Sequence, residues 1–315
     1  MAKYEIKIHA GESITKAVRE LPDDGEEAIL HLEPGQYHEK VEILRSHLTI
    51  EGSGADRTGI IWHDRAYEIL PDGKKRGTFR TATVRTDGDY ITLRGLSIRN
   101  DSSPREEAGQ CIALYADGDF FTCEDCNLIS YQDTLFTAPL PPKEMIKDGF
   151  IGPKQFAERK PQRHIYRRDR IYGDIDFIFG GAAAWFEQCD IIAVDGRKKK
   201  DEPYVAYCTA ASTPEGQRFG YVFHECRFLG EGVPDHSVFL GRPWRSYAKT
   251  VFLECSFDHH IRQEAFHDWG KADFKQNGLY AVYPEPDFSL TMQYGKVLTQ
   301  GEAAEYSETA FLGSL

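Results

Sequence analysis

Short runs in which apolar and polar residues alternate recur along this 315-residue chain, and turn residues separate them. Ala28-Ile29-Leu30-His31-Leu32 is the first predicted strand: Ala28, Leu30 and Leu32 share one face, and the run stops before Pro34-Gly35. A short helix is predicted over 13–21, where Ser13 can cap, Ile14, Ala17, Val18 and Leu21 fall at helical spacing, and Pro22 ends the run. Beyond it strand signals dominate. Gly and Asp clusters punctuate runs of Val, Ile, Phe, Tyr and Thr, which points to an all-β chain.

The strand pattern repeats. Asp87-Gly88-Asp89-Tyr90-Ile91-Thr92 returns thirty residues later as Asp117-Gly118-Asp119-Phe120-Phe121-Thr122. A Phe-x-x-Cys-x-apolar unit occurs at Phe186/Cys189/Ile191, Phe223/Cys226/Phe228 and Phe252/Cys255/Phe257, with a looser copy around Cys126. The steps between these cysteines are 63, 37 and 29 residues, so the first has room for two coils and an insertion. Short strands recurring without intervening helices predict a solenoid of stacked coils, a parallel β-helix with an interior of aliphatic, Phe and Cys ladders. The N-terminal helix is expected to cover the open end of the core, which otherwise exposes an unpaired edge. Residues 1–315 read as one domain. Residues 138–163, rich in Pro, read as one long loop leaving a coil.

The net charge of −12 argues against nucleic acid as a partner. One stretch runs the other way. From Lys143 to Arg170 nine basic residues (Lys143, Lys147, Lys154, Arg159, Lys160, Arg163, Arg167, Arg168, Arg170) face four acidic ones, which predicts either a solvated loop or a patch that attracts an anion. No segment is apolar enough to span a membrane, and residues 1–7 lack the apolar core of a signal peptide. Seven cysteines follow no small-domain disulfide pattern; together these features lead one to expect a reducing, cytoplasmic compartment, or a secreted chain if the N-terminus is processed or engineered. Cys123 and Cys126 form a CxxC, but residues three apart on a strand face opposite sides, so no shared metal is expected. His259, His260 and His267 lack a companion ligand motif.

Two segments break the local rules. Tyr131-Gln132-Asp133-Thr134-Leu135-Phe136 and Gly173-Asp174-Ile175-Asp176-Phe177-Ile178-Phe179-Gly180 each set a carboxylate among strand-forming apolar residues, where Asp is depleted. Two acids in contrasting environments can divide into a proton donor and an ionised nucleophile or base. Arg242, in Leu240-Gly241-Arg242-Pro243-Trp244, offers a guanidinium able to lower the pKa of one of them and hold it charged. No nucleophile elbow or phosphate-binding glycine loop is present.

These segments, with Ala108-Gly109-Gln110-Cys111-Ile112-Ala113-Leu114, occur in the order found in the pectin methylesterases, and the chain resembles that family in general pattern from about residue 10 to 290. The resemblance implies a right-handed parallel β-helix that removes methyl esters from galacturonate units. The partner would be an anionic pectic polysaccharide or oligogalacturonide, with no metal or organic cofactor. By matching position it implies Asp176 as nucleophile, Asp133 as general acid/base, Gln110 and Gln132 as oxyanion donors, Arg242 as the group that orients and charges Asp176, and Trp244 as a sugar contact. Trp269, Tyr131 and Phe136 are further aromatic candidates for sugar rings.

Two departures from the family stand out. The acids are 43 residues apart, about twice the family's spacing, and the extra length is the basic loop, which is expected to overhang the cleft and bind galacturonate carboxylates. In Cys208-Thr209-Ala210-Ala211-Ser212 an Ala stands where many members carry Gln after Thr-Ala. Two other readings fit the same residues: a glycoside hydrolase using both carboxylates, and a non-catalytic sugar-binding solenoid.

Overall fold

The computed structural model describes residues 2–103, 105–196, 203–286 and 291–314. Its strands form three parallel sheets of eleven, eight and seven strands, and the chain visits the sheets in turn, one strand each per coil. This is the expected right-handed parallel β-helix.

The repeats seen in the sequence are the stacking registers. Thr92 pairs with Thr122 across the thirty-residue repeat, and Tyr90 stacks on Phe120 at 4.8 Å. Phe186, Phe223 and Phe252 pair in register along the eleven-stranded sheet and stack inside it at 4.4 and 5.2 Å, with their ring planes nearly parallel. Each ring is at most 1 % exposed, so each contributes about 1.5–3 kcal/mol of apolar burial.

A second ladder marks one corner of the coil. Asp125, Arg168, Gln188, Glu225 and Glu254 all adopt φ between 51° and 53°, and each turns the next residue toward the core. Those next residues are Cys126, Asp169, Cys189, Cys226 and Cys255. Asp169 therefore fills the cysteine position of the coil hidden in the 63-residue step. The same corner corrects the expectation for Cys123 and Cys126. Because Asp125 rotates the chain between them, both thiols point inward, and their sulfurs lie with an Asp169 carboxylate oxygen within 4.8 Å of one another.

The helix Ile14–Glu20 forms as expected, with the Ser13 hydroxyl accepting from the Lys16 N–H and Ile14, Val18 and Leu21 buried in the main core. The strand Tyr4–Ile8, which pairs with Ala28–Leu32, precedes it and was not anticipated. Nor were the C-terminal helices Gln300–Ala303 and Glu308–Leu312. They cover the outer face of the eleven-stranded sheet, where Phe311 packs among Trp185, Phe219, Val222 and Leu253. No helix among the described residues is long and apolar enough to cross a membrane.

Candidate active site

The site lies on the outer face of the seven-stranded sheet. Asp133 stands two residues before the strand Leu135–Thr137, and Asp176 lies inside Ile175–Gly180, the neighbouring strand. Both are forced off the regular strand path, with φ of 64° at Asp133 and 52° at Asp176. That region disfavours residues with a side chain and tends to mark sites held by their surroundings. Around Asp176 the pairing with Ala206–Ala211 skips between Ile175 and Ile178, a bulge that re-aims side chains. Phe177 and Ile178 then enter the coil interior while Phe179 faces outward. The Asp133 N–H donates to the Ile175 carbonyl at 3.0 Å, which ties the two acid-bearing segments together.

Arg242 follows the strand Val238–Gly241 and meets Asp176 with two parallel bonds, Nε to Oδ1 at 2.7 Å and Nη2 to Oδ2 at 2.6 Å. Its guanidinium lies between the rings of Tyr207 at 3.9 Å and Trp269 at 3.7 Å, so it has little freedom to release the carboxylate.

The electrostatics separate the acids. Burial raises the pKa of Asp133 far above the ordinary carboxylate value; the Asp176 and Asp174 charges add to this and Arg242 only partly opposes it. Burial also raises Asp176, but the hydrogen bonds and charge of Arg242, helped by Lys271, pull it back. Arg242 acts in the direction expected from the sequence, but desolvation outweighs the guanidinium and leaves Asp176 above the ordinary carboxylate value. The order survives: Asp133 is the acid more strongly held neutral.

A cavity of about 370 Å³ joins these groups. Gln110, Gln132, Asp133, Asp176, Arg242, Trp244 and Trp269 all line it, as the sequence suggested. The main-chain carbonyls of the glutamines are already engaged, Gln132 accepting from the Cys111 N–H and Gln110 from the Ala66 N–H, both at 3.0 Å. Trp244 is half-buried against Phe79, Phe179 and Phe150.

Two aromatic candidates lie elsewhere. Phe136 is fully buried, edge-on to Tyr115 at 4.6 Å and to Phe79 at 5.0 Å, because strand alternation turns it into the aromatic cluster that supports the site. Tyr131 lines a separate cavity of about 240 Å³ with Arg99, Asn100 and Tyr172.

The basic loop also departs from expectation. None of the nine cations between Lys143 and Arg170 lines the cavity. Lys154 bridges Asp87 and Asp117, and Arg159 donates to the carbonyls of Pro141, Lys154, Gln155 and Ala157. Arg163, Arg167 and Arg168 pair with Asp119, Glu308 and Asp125. These charges hold the loop and the coils together. Its contribution to the cavity is apolar instead: Met145, Ile146 and Phe150. Counting charges drew attention away from them. Arg245 and Lys271, also missed, follow the aromatic candidates Trp244 and Trp269 by one and two positions, the only sequence signal for them.

Fold and site together define a β-helix protein with a two-carboxylate centre on an outer sheet face. The Pectinesterase family model matches residues 8–140 and 157–289, and the chain belongs to that family. It is 30% identical over 265 residues to Pectinesterase 2 of Citrus sinensis, covering 81% of this chain and 44% of that protein. The chain thus spans less than half of that relative's length. Among solved structures it is similar to the pectin methylesterase from Yersinia enterocolitica, with a TM-score of 0.78, 25% identity, and 96% and 99% of the two chains covered. It also resembles a pectin methylesterase solved in complex with a hexasaccharide, with a TM-score of 0.80, 24% identity, and 100% and 98% of the chains covered.

Proposed function

We propose that this chain is a pectin methylesterase, which hydrolyses methyl esters of galacturonate units in pectin or its methylated oligomers. The observation that carries the reading is one cavity holding two buried acids of unequal character, Asp176 clamped by Arg242 and Asp133 driven toward its neutral form.

An Asp176 carboxylate oxygen attacks the ester carbonyl carbon. The carbonyl π electrons move to oxygen, and that oxyanion faces the side-chain amides of Gln110 and Gln132. Each neutral donor of this kind contributes about 3 kcal/mol to the transition state. As the tetrahedral centre collapses, the bond to the methoxy oxygen breaks and Asp133 delivers its proton there, so methanol departs rather than methoxide. An anhydride between substrate and Asp176 remains. Asp133, now a carboxylate, takes a proton from water as the water oxygen attacks the anhydride. Asp176 leaves ionised, and the product is a free galacturonate carboxyl.

The hexasaccharide held by a related pectin methylesterase supports a pectic oligosaccharide as the partner. The cytoplasmic placement expected from the N-terminal residues has no support in the fold or the family. Incubation with methylated oligogalacturonides tests the activity. Methanol without new reducing ends is the expected result; new reducing ends without methanol would overturn it in favour of a glycoside hydrolase, and binding with no product in favour of a sugar-binding solenoid.

A further inference from the structure

The turn at 268–271 sets two cations on one indole. Trp269 has φ of 51° and Gly270 of 66°, and the Lys271 N–H donates to the Asp268 carbonyl at 3.0 Å, so the chain folds back on itself. The Lys271 ammonium lies 4.2 Å from the Trp269 ring centre, and the Arg242 guanidinium lies 3.7 Å from the same ring. Cations this close leave little of the indole face for a sugar ring. Trp269 lines the cavity and Lys271 does not. Lys271 is thus one indole away from the group that clamps Asp176.

That place is unfavourable for a lysine. Burial lowers its pKa, and the charges of Arg245 and Arg242 lower it further. Among the described residues no carboxylate comes within ion-pair distance of it. The nearby acids have other partners: Asp268 accepts from the Gly270 N–H at 2.9 Å, and Asp273 from the Ser246 hydroxyl at 2.7 Å. The charges that favour the ammonium are those of Asp176 and Asp273. The effect is mutual, since Lys271 joins Arg242 in pulling Asp176 toward its charged form. A residue held against local preference beside a reactive group points to a role in the site.

The other titratable or charged groups around Asp176 are Asp133 on the adjoining segment, Asp174 two residues before it, Arg245 in the cavity wall and Tyr280 in the core. Burial holds Asp133 and Tyr280 in their neutral forms, and an arginine stays charged at any working pH.

We propose that Lys271 is a positioning residue for the nucleophile: its ammonium holds Trp269 on the Arg242 guanidinium and places a second positive charge behind the Arg242–Asp176 pair, which keeps Asp176 in the form that attacks. The proposal deepens the esterase reading above and rests on it.

The test follows methanol release by the full chain from fully methyl-esterified hexagalacturonate across pH. That substrate carries no carboxylate, so a lost contact to a substrate acid cannot imitate the effect. The acidic limb of kcat/KM reports ionisation of Asp176 in the free enzyme. Lys271→Met keeps the stem and removes the charge, and the limb should move to higher pH by about half a unit to one unit, the size of one partly screened charge at this separation. Lys271→Arg should return the limb to its native position. An unmoved or lowered limb in Lys271→Met, whatever the rate at the plateau, would overturn the proposal. So would an equal shift in both variants, which would assign the effect to shape and not to charge. Carbon-13 titration of the Asp176 carboxyl, identified by its loss in Asp176→Asn, reads the same shift without turnover. If the native chain releases no methanol at any pH, the esterase reading falls, and that titration alone decides whether Lys271 charges Asp176.

Discussion

Asp169 inside the coil and the Asp133–Asp176 pair outside it are all buried aspartates, and they differ in everything that burial alone does not supply. Asp169 has no exposure, sits in a ladder of thiols, and accepts one bond on Oδ1 from the Cys126 N–H at 2.8 Å, while Oδ2 lacks a hydrogen-bond partner. Burial raises its pKa to about 8. Asp176 is as deeply set in the protein, but a clamped guanidinium, an open cavity and a second acid surround it. Desolvation makes an acid reluctant to ionise. A fixed cation, with room for a reacting group, is what turns that reluctance into a division of labour.

The comparison breaks most sharply at Asp176. Asp176→Asn should lower kcat by roughly 10⁴–10⁶-fold, as expected for a nucleophile, while substrate binding persists. A loss of less than tenfold would remove it from the covalent role. Asp133→Asn should lower kcat by about 10²–10⁴-fold. The loss should be smaller on esters with a more acidic leaving alcohol, which need less protonation; an equal loss on both would argue against a proton donor. Asp169→Asn should leave turnover unaffected and stabilise the fold.

The size of that last effect follows from linkage. The Asp169 pKa is about 8 folded against 3.8 for an ordinary Asp, so the native state holds a proton that the unfolded chain releases. Stability tied to Asp169 is therefore complete below pH 3.8 and is lost as pH rises toward 8. Urea unfolding should find the two proteins alike near pH 4 and Asp169→Asn more stable by up to about 4 kcal/mol at pH 7. A constant difference across that range would show that the acid does not titrate on unfolding.

The smallest expected effect is a shift in pH profile. Arg242→Lys gives up the two-pronged contact, so the acidic limb of kcat/KM should move to higher pH as Asp176 becomes harder to ionise. An unmoved limb would mean that Arg242 orients the carboxylate without tuning it.

The coil was legible because stacking repeats the same side chains at the same positions, as with Phe186, Phe223 and Phe252. The acids were legible because they sit in short segments that violate strand preference, and Arg242 because its guanidinium could pair with one of them. Direction was not. Phe136 belongs to a motif that reaches the cavity, but strand alternation sends its ring into the support beneath. Cys123 and Cys126 converge because one positive-φ residue turns the corner between them, a backbone event that spacing does not encode. Asp169 escaped notice because an acid in a cysteine ladder breaks the repeat that would have revealed it. The cations of the loop were counted correctly, but sequence shows the number of charges and not their partners.

The loop leaves after the strand Leu135–Thr137 and returns at Arg163–Arg167, and these strands are held by different sheets. Each end is thus fixed by neighbouring coils whatever lies between. Doubling the length of such a connection costs only about 0.6 kcal/mol of chain entropy. The scaffold can therefore exchange one connecting segment for another with little thermodynamic resistance, and Asp133 and Asp176 beside it need not move when it does.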